Sequence, residues 1–104
     1  MSLPPIRSKL ADDPDYAELV AEFVSNVPER IQSIRKSMEQ NDIKQLGTLI
    51  HQLKGACGGY GFHELTPQAT KLEEQLRSGA TMIELTESLE EFLETCQRMT
   101  ADRV

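Results

Sequence analysis

His51 is surrounded by residue types that would help another molecule reach its side chain. It lies in a segment whose apolar residues recur every three or four positions, a pattern typical of an amphipathic helix. On a helical wheel centred on Leu46, the apolar stripe falls within about 60° of the centre and His51 at about 140°. We therefore expect the imidazole to point to solvent. Three glycines and two lysines share its face: Gly47, Gly55, Gly58, Lys44 and Lys54.

The three glycines are unfavourable in a helix. Each costs about 1 kcal/mol relative to alanine, or on the order of 3 kcal/mol together. Because they lie opposite the apolar stripe, core packing does not require them. Bare backbone around His51 would let another molecule approach the nucleophilic imidazole, and the lysines would attract an anion. The alternative interpretation is an ordinary surface histidine followed by a glycine-rich loop at 55–61.

The helix that carries His51 is the second of four predicted helices. The first opens with Asp13 as N-cap and Pro14 at the first helical position. Its apolar stripe stays in phase across Pro28, although proline removes one backbone donor and clashes with the preceding turn. We therefore predict one long helix over about 14–40, bent near Pro28, with two shorter helices as the alternative.

The other three helices carry their own boundary signals. Asp42 and Thr81 each precede a Gln or Glu by three residues, which resembles a capping box. Glycines end the second helix, and Gly79 is suited to close the third. The second helix is predicted to end near 59–61, the third to span about 64–78 and the fourth about 82–101.

Four amphipathic segments with short connections predict an all-α fold, an antiparallel up-and-down four-helix bundle. No segment alternates with a period of two, so we predict no sheet. Residues 1–12 contain two prolines and no periodicity. We expect them to form a flexible N-terminal lead-in to a single domain over 13–104.

The composition excludes several functional classes. The 104 residues include 11 Lys+Arg and 17 Asp+Glu, and the resulting net charge of −6 argues against nucleic acid as a partner. No apolar run approaches the ~20 residues of a membrane span, and the start does not resemble a signal peptide. We therefore expect a cytoplasmic protein with no membrane insertion, in which Cys57 and Cys96 are reduced, buried thiols.

The stretch from His51 to Gly55, HQLKG, followed by Gly58, Gly61 and Phe62, resembles the signature of histidine-containing phosphotransfer domains. These domains are the phosphorelay modules of two-component signalling. The resemblance covers about 14–100 and implies that His51 accepts and donates the phosphoryl group. It also implies that Lys54 lies near the phosphoryl oxygens, and that Gly55 and Gly58 leave room for the partner.

Family members often place a Glu or Gln in the next helix to hold the imidazole. Glu73 stands at the matching spacing, although Gln68, Lys71 and Gln75 lie on the same predicted helix. A carboxylate that accepts the proton of one ring nitrogen would fix the tautomer and direct the other nitrogen outward.

The resemblance implies partners as well as residues. The phosphoryl group would come from the phosphoaspartate of a response-regulator receiver domain and pass to another receiver, or back. A hybrid sensor histidine kinase is a further candidate partner. The sequence has no GxxxxGK(S/T) loop, no kinase Gly-rich loop and no carboxylate cluster beside His51. We therefore expect a phosphocarrier, not an enzyme, with no cofactor of its own and with Mg²⁺ in the partner receiver.

The sequence is open to two other interpretations. The bundle could be a non-catalytic interaction module that binds a receiver or kinase without carrying phosphate. A metal site is disfavoured, although His51, Cys57, His63 and Cys96 are ligand types, because the spacings match no common zinc pattern. Cys57 and His51 are also expected to point in different directions from the same helix.

Overall fold

Four helices form an antiparallel bundle in the computed structural model, which describes residues 3–102. In chain order, α1, α2, α3 and α4 each pack against the next, and α4 returns to α1. A 3₁₀ turn precedes α3. The predicted all-α bundle is therefore confirmed. The bounds are Ala17–Glu39 for α1, Ile43–Gly59 for α2, His63–Leu65 for the 3₁₀ turn, Thr66–Arg77 for α3 and Met82–Gln97 for α4.

The first helix is a single element that continues through Pro28, in agreement with the first of the two predicted alternatives. It begins later than expected, because the N-cap position belongs to Tyr16 and not to Asp13. Asp13 instead organises the preceding turn. Its side chain accepts a hydrogen bond from the Asp15 N–H at 2.9 Å, and its carbonyl accepts from the N–H of Ala17 at 2.9 Å.

Local capping signals in the sequence mark the starts of α2 and α4 correctly. The Asp42 side chain accepts a hydrogen bond from the Gln45 N–H at 3.1 Å. Thr81 and Glu84 form a reciprocal capping box at the start of α4. Gly79 has a φ of +85°, so it closes α3 in the left-handed conformation that glycine adopts most easily.

The prediction of no sheet is wrong, because two short strands pair in parallel at one end of the bundle. Residues Ile6–Arg7 form β1 and residues Met99–Thr100 form β2, with Ile6 opposite Met99. Strands of two residues are too short to show a period of two in the sequence. Because the chain enters β2 soon after α4, that helix ends at Gln97, short of the predicted 101.

The segment before α1 also packs more closely than a loose lead-in would. Ile6 and Ala11 are each 4% exposed, and Ile6 belongs to the same core cluster as the helices. The Ser8 hydroxyl donates to the Tyr60 carbonyl and accepts from the Leu10 N–H. This part of the chain therefore rests on the end of α2, although we expected no regular structure there.

The core is mainly aliphatic, with one aromatic cluster where α1 meets the end of α2. The rings of Phe23 and Tyr60 stack at 4.9 Å between centroids, and Phe62 lies 5.9 Å from Phe23. Cys57 and Cys96 are free, buried thiols, as predicted. Burial raises the pKa of Cys57 to about 12 and also raises that of Cys96, so both thiols stay protonated.

Among residues 3–102, none of the helices combines the length and the apolar character that a bilayer crossing requires.

Gly61 provides a test of the contact between the N-terminal segment and the bundle. Its φ is +84°, and a Cβ there would lie 2.5 Å from the Ser8 Oγ and 3.0 Å from the Lys9 nitrogen. Gly61→Ala should therefore lower the free energy of unfolding by about 1–3 kcal/mol in urea denaturation. Gly59→Ala is the control, because a Cβ there meets nothing within 4 Å. It should be neutral or stabilising by up to about 1 kcal/mol, and equal losses in both variants would contradict the packing argument.

Candidate functional site

The candidate site is built around His51, which projects from α2 into solvent. Its side chain is 76% exposed, whereas the adjacent Ile50 and nearby Leu53 are 0% and 1% exposed in the core. The helical periodicity explains this contrast. Once the apolar stripe faces the core, the directions of all remaining side chains on α2 are fixed. The sequence-based prediction that the imidazole points away from the core therefore agrees with the structure.

Glu73 of α3 reaches across to the imidazole. Its Oε2 lies 2.8 Å from the His51 Nδ1, and its side chain is 17% exposed. Leu72, the preceding residue, is fully buried, and this packing holds Glu73 at the edge of α3 that faces α2. The other residues considered for this position do not make the contact. Within the described part of the chain, Gln68 and Gln75 have buried Oε1 atoms without partners, and Lys71 is exposed.

The same carboxylate also binds Lys54, three residues after His51 on α2. The Lys54 Nζ donates to the Glu73 Oε1 at 2.8 Å, so the two carboxylate oxygens have one partner each. Sequence reasoning expected Lys54 to face incoming phosphoryl oxygens and missed this ion pair. The i, i+3 spacing could have indicated it, because His51 and Lys54 lie on one face of the helix and one carboxylate can reach both.

These contacts determine which nitrogen of His51 is available. The hydrogen bond from Lys54, and next the one from His51, lowers the pKa of Glu73, so its carboxylate is ionised near neutral pH and only accepts. The Nδ1 of a neutral ring must therefore carry the proton that points at Glu73. The lone pair then lies on Nε2, on the side of the exposed ring away from Glu73. This arrangement presents a nucleophilic nitrogen to solvent.

The surroundings of His51 on α2 leave space for a second molecule. A Cβ on Gly55 or Gly58 would meet nothing within 4 Å, so neither glycine is required by packing. A Cβ on Gly47 would make only an ordinary contact with the Leu76 Cδ1 at 3.8 Å. Lys44 is exposed near the start of α2. All of the predicted site residues thus lie on α2, apart from Glu73.

A protein-family model of the Hpt domain matches residues 18–102, most of the chain. The chain belongs to the Hpt domain family. Hpt domains act in phosphorelays by histidine phosphotransfer, and they are phosphocarriers and not catalysts. Searches of curated proteins and of solved structures gave no significant match. The matched range of this Hpt domain includes His51, Lys54 and Glu73, whose roles remain predictions.

The remaining histidine and the thiols of this Hpt domain do not assemble into a second site. His63 is exposed in the 3₁₀ turn, while Cys57 and Cys96 are buried in the core. Among the residues that the structure describes, no three His, Cys, Asp or Glu side chains are grouped to hold a metal ion.

The shifted pKa of Glu73 predicts how acid affects stability. A carboxyl whose pKa is lower in the folded than in the unfolded chain stabilises the fold above the unfolded value, here 4.5. That contribution is lost as the pH falls through the folded pKa. Wild type should therefore be more stable than Glu73→Gln at about pH 6, and the difference should shrink by about pH 3.

Urea denaturation at both pH values checks this expectation. Glu74→Gln is the matched control, because it removes the same charge from an exposed neighbour on α3. A stability difference between wild type and Glu73→Gln that stays constant down to pH 3 would show that the ion pair does not stabilise the fold.

Proposed function

We propose that His51 carries a phosphoryl group between receiver domains, accepting it from the phosphoaspartate of one and donating it to another or back. The observation that carries this proposal is the hydrogen bond between the His51 Nδ1 and Glu73, because it leaves Nε2 of an exposed imidazole as the nucleophile. Membership of the Hpt domain family supports the same chemistry. The cytoplasmic location also remains a prediction.

In the proposed transfer, the lone pair of Nε2 attacks phosphorus. A nitrogen–phosphorus bond forms while the bond between phosphorus and the aspartyl oxygen breaks, and the aspartate leaves as a carboxylate. Because Nδ1 keeps its proton, the phosphorylated ring is an imidazolium. The Glu73 carboxylate, 2.8 Å from Nδ1, stabilises this positive charge and neither gains nor loses a proton during the reaction. Donation to the next receiver is the reverse sequence.

In this proposal Lys54 assists the phosphoryl group without leaving Glu73. A lysine ammonium has three donors, and the contact with Glu73 uses one of them. The side chain is 31% exposed, so the remaining donors are free to bind a further acceptor. We assign Lys54 a supporting electrostatic role, since it adds a point charge near the transferred anion.

The remaining components of a phosphoryl-transfer site are assigned to the partner. The sequence contains no nucleotide-binding loop of the P-loop or kinase type. We therefore propose that the receiver contributes Mg²⁺ and the activated acyl phosphate, and that the Hpt domain contributes the acceptor nitrogen. Incubation with labelled ATP and Mg²⁺ alone should leave the domain unlabelled.

Substitutions of His51 and Lys54 test the assigned roles. With a receiver pre-labelled by a small-molecule phosphodonor, His51→Gln should accept no acid-labile, base-stable phosphate and remain folded. Lys54→Ala should transfer about ten- to a hundredfold more slowly, because it loses one charge-assisted contact of about 1.5–3 kcal/mol. His63→Gln is the control and should transfer at the wild-type rate. Label on His51→Gln would place the acceptor elsewhere. A wild-type domain that binds the receiver but takes no label would support the non-catalytic interaction module.

Gly58 tests whether the bare backbone provides access. Gly58 lies about two helical turns beyond His51 on nearly the same azimuth of α2. Gly58→Leu should slow transfer at least about tenfold by blocking the receiver, whereas Gly58→Ala should stay active and gain up to about 1 kcal/mol of stability. Gly59→Leu, displaced by about 100° around the helix, should change the rate less than about threefold. Wild-type rates in both Leu variants would refute the steric argument.

A further inference from the structure

The contact between Glu73 and His51 suits only one protonation state of the ring. The Glu73 Oε2 lies 2.8 Å from the His51 Nδ1. An ionised carboxylate has acceptor oxygens and no proton to donate. If Nδ1 lost its proton, a nitrogen lone pair and a carboxylate oxygen would face each other at hydrogen-bond distance with no hydrogen between them. The contact is therefore favourable only while Nδ1 is protonated.

Lys54 helps to keep that proton on the nitrogen. Its ammonium donates to the Glu73 Oε1 at 2.8 Å and favours the charged form of the carboxylate, so the pKa of Glu73 is lowered. The carboxylate is therefore too weak a base to take the proton from the ring. With one donor on each oxygen, Glu73 holds the Nδ1 proton in place without accepting it.

The Nδ1 proton decides how easily a phosphoryl group on Nε2 leaves. When the nitrogen–phosphorus bond breaks, its electron pair returns to Nε2, and the phosphoryl group passes to an oxygen of water or of a receiver aspartate. A ring with a proton on Nδ1 leaves as neutral imidazole. A ring without that proton leaves as an imidazolate anion, which is a far poorer leaving group. Phosphohistidine is for this reason labile in acid and stable in base.

From this geometry we infer that Glu73 keeps phosphorylated His51 in its labile, protonated form at pH values where the ring would otherwise lose the Nδ1 proton. Given the phosphocarrier role proposed above, Glu73 thereby sets the lifetime of the phosphoryl group as well as the orientation of the ring. Near and above neutral pH the carboxylate makes the domain a ready donor and a poor store of phosphate.

The other charged groups around the ring oppose its proton or balance one another. Nearby cations disfavour a positive ring, so without Glu73 they would promote loss of the proton. The phosphoryl group is anionic and favours the proton, but it is the same in every variant. The groups are Lys44 and Lys54 on α2, Arg77 one turn after Glu73 on α3, and the oppositely charged Glu29 and Arg30 of α1 beside Gln52.

Hydrolysis of the phosphorylated domain tests the inference without a receiver. Phosphoramidate, a small-molecule donor that phosphorylates histidine, loads the domain, and ³¹P NMR follows the loss of phosphohistidine as a function of pH. Glu73→Gln is the informative variant, because its amide accepts from a protonated Nδ1 through oxygen and donates to a bare Nδ1 through nitrogen. The hydrolysis rate should fall with a midpoint at least about one pH unit lower in Glu73→Gln than in the wild type.

The rates on either side of the midpoints follow from this shift. Above both midpoints the wild type should lose phosphate about tenfold faster than Glu73→Gln. At about pH 5.5, where both rings are protonated, the two rates should agree within about threefold. Equal midpoints in the wild type and Glu73→Gln would overturn the inference.

The ring proton is observed directly in the same samples. In protein labelled with ¹⁵N-histidine, the ¹⁵N shifts of the phosphorylated ring report whether Nδ1 carries a proton, and this titration should share the midpoint of hydrolysis. His63, the only other histidine, is exposed in the 3₁₀ turn and is the internal control. Its titration should be the same in all variants.

Two further variants separate an effect of charge from a loosened contact between α2 and α3. Lys54→Gln removes a cation beside the ring and leaves Glu73 as an acceptor, so its midpoint should move to higher pH, opposite to Glu73→Gln. Glu74→Gln removes the same charge as Glu73→Gln from an exposed position about 100° further around α3, and should leave the midpoint unchanged. A downward shift in both Glu73→Gln and Lys54→Gln would show a structural role only and overturn the inference.

Failure of this inference is distinct from failure of the proposed function. A domain that carries phosphate on His51 and passes it to a receiver, with a midpoint that does not depend on Glu73, would keep the phosphocarrier function and refute the inference. A domain that phosphoramidate does not label on His51 would overturn both.

Discussion

The Glu73 carboxylate joins the two helices of the candidate site, and the chemistry proposed for His51 depends on it. One oxygen fixes the imidazole and the other holds Lys54, so the site has a single acceptor with two donors. A carboxylate with a side-chain exposure of 17% requires such partners, because an unpaired charge there would lose hydration without compensation. The packing of Leu72 against the core therefore supports the geometry of the candidate site as well as the stability of the fold. If α3 rotated or slid relative to α2, both hydrogen bonds would be lost together.

Access to His51 and stability of α2 place opposite demands on the same residues. Gly47, Gly55 and Gly58 weaken the helix by on the order of 3 kcal/mol in total, and nothing in the core requires them. The ends of α2 are held by other means. Asp42 caps the start, and the Ser8 hydroxyl and the backbone N–H of Lys9 contact the last turn and the loop at Gly61. The N-terminal segment thus supports a helix whose middle contains the glycines for which we propose a role in partner access.

Features that depend on residues close together in the chain could be predicted from the sequence, whereas features that depend on distant residues could not. The caps at Asp42 and Thr81 involve residues three apart, and their positions were predicted correctly. The azimuth of His51 follows from the apolar stripe of its own helix. The pairing of Ile6 with Met99 joins the two ends of the domain and leaves no periodic pattern in such short strands. Glu73 was identified through a resemblance. Its second partner Lys54 was missed, because the i, i+3 spacing indicates only that one carboxylate can reach both residues, and which carboxylate does so depends on how α3 lies against α2.

Charge is distributed unevenly over the domain. Its net charge of −6 would by itself repel an anionic phosphoaspartyl group, but the two sides of the bundle differ. Residues 43–62, which include α2, contain Lys44 and Lys54 but no aspartate or glutamate, whereas α4 carries five glutamates and no basic residue. In the proposed function, a receiver with an anionic active site would be repelled by the α4 side and attracted to the α2 side, where His51 lies. Orientation of this kind acts before contact and raises the rate of productive encounters more than the final affinity. In the proposed transfer, the acidic helix would therefore act at a distance, by making the approach to His51 the favourable one.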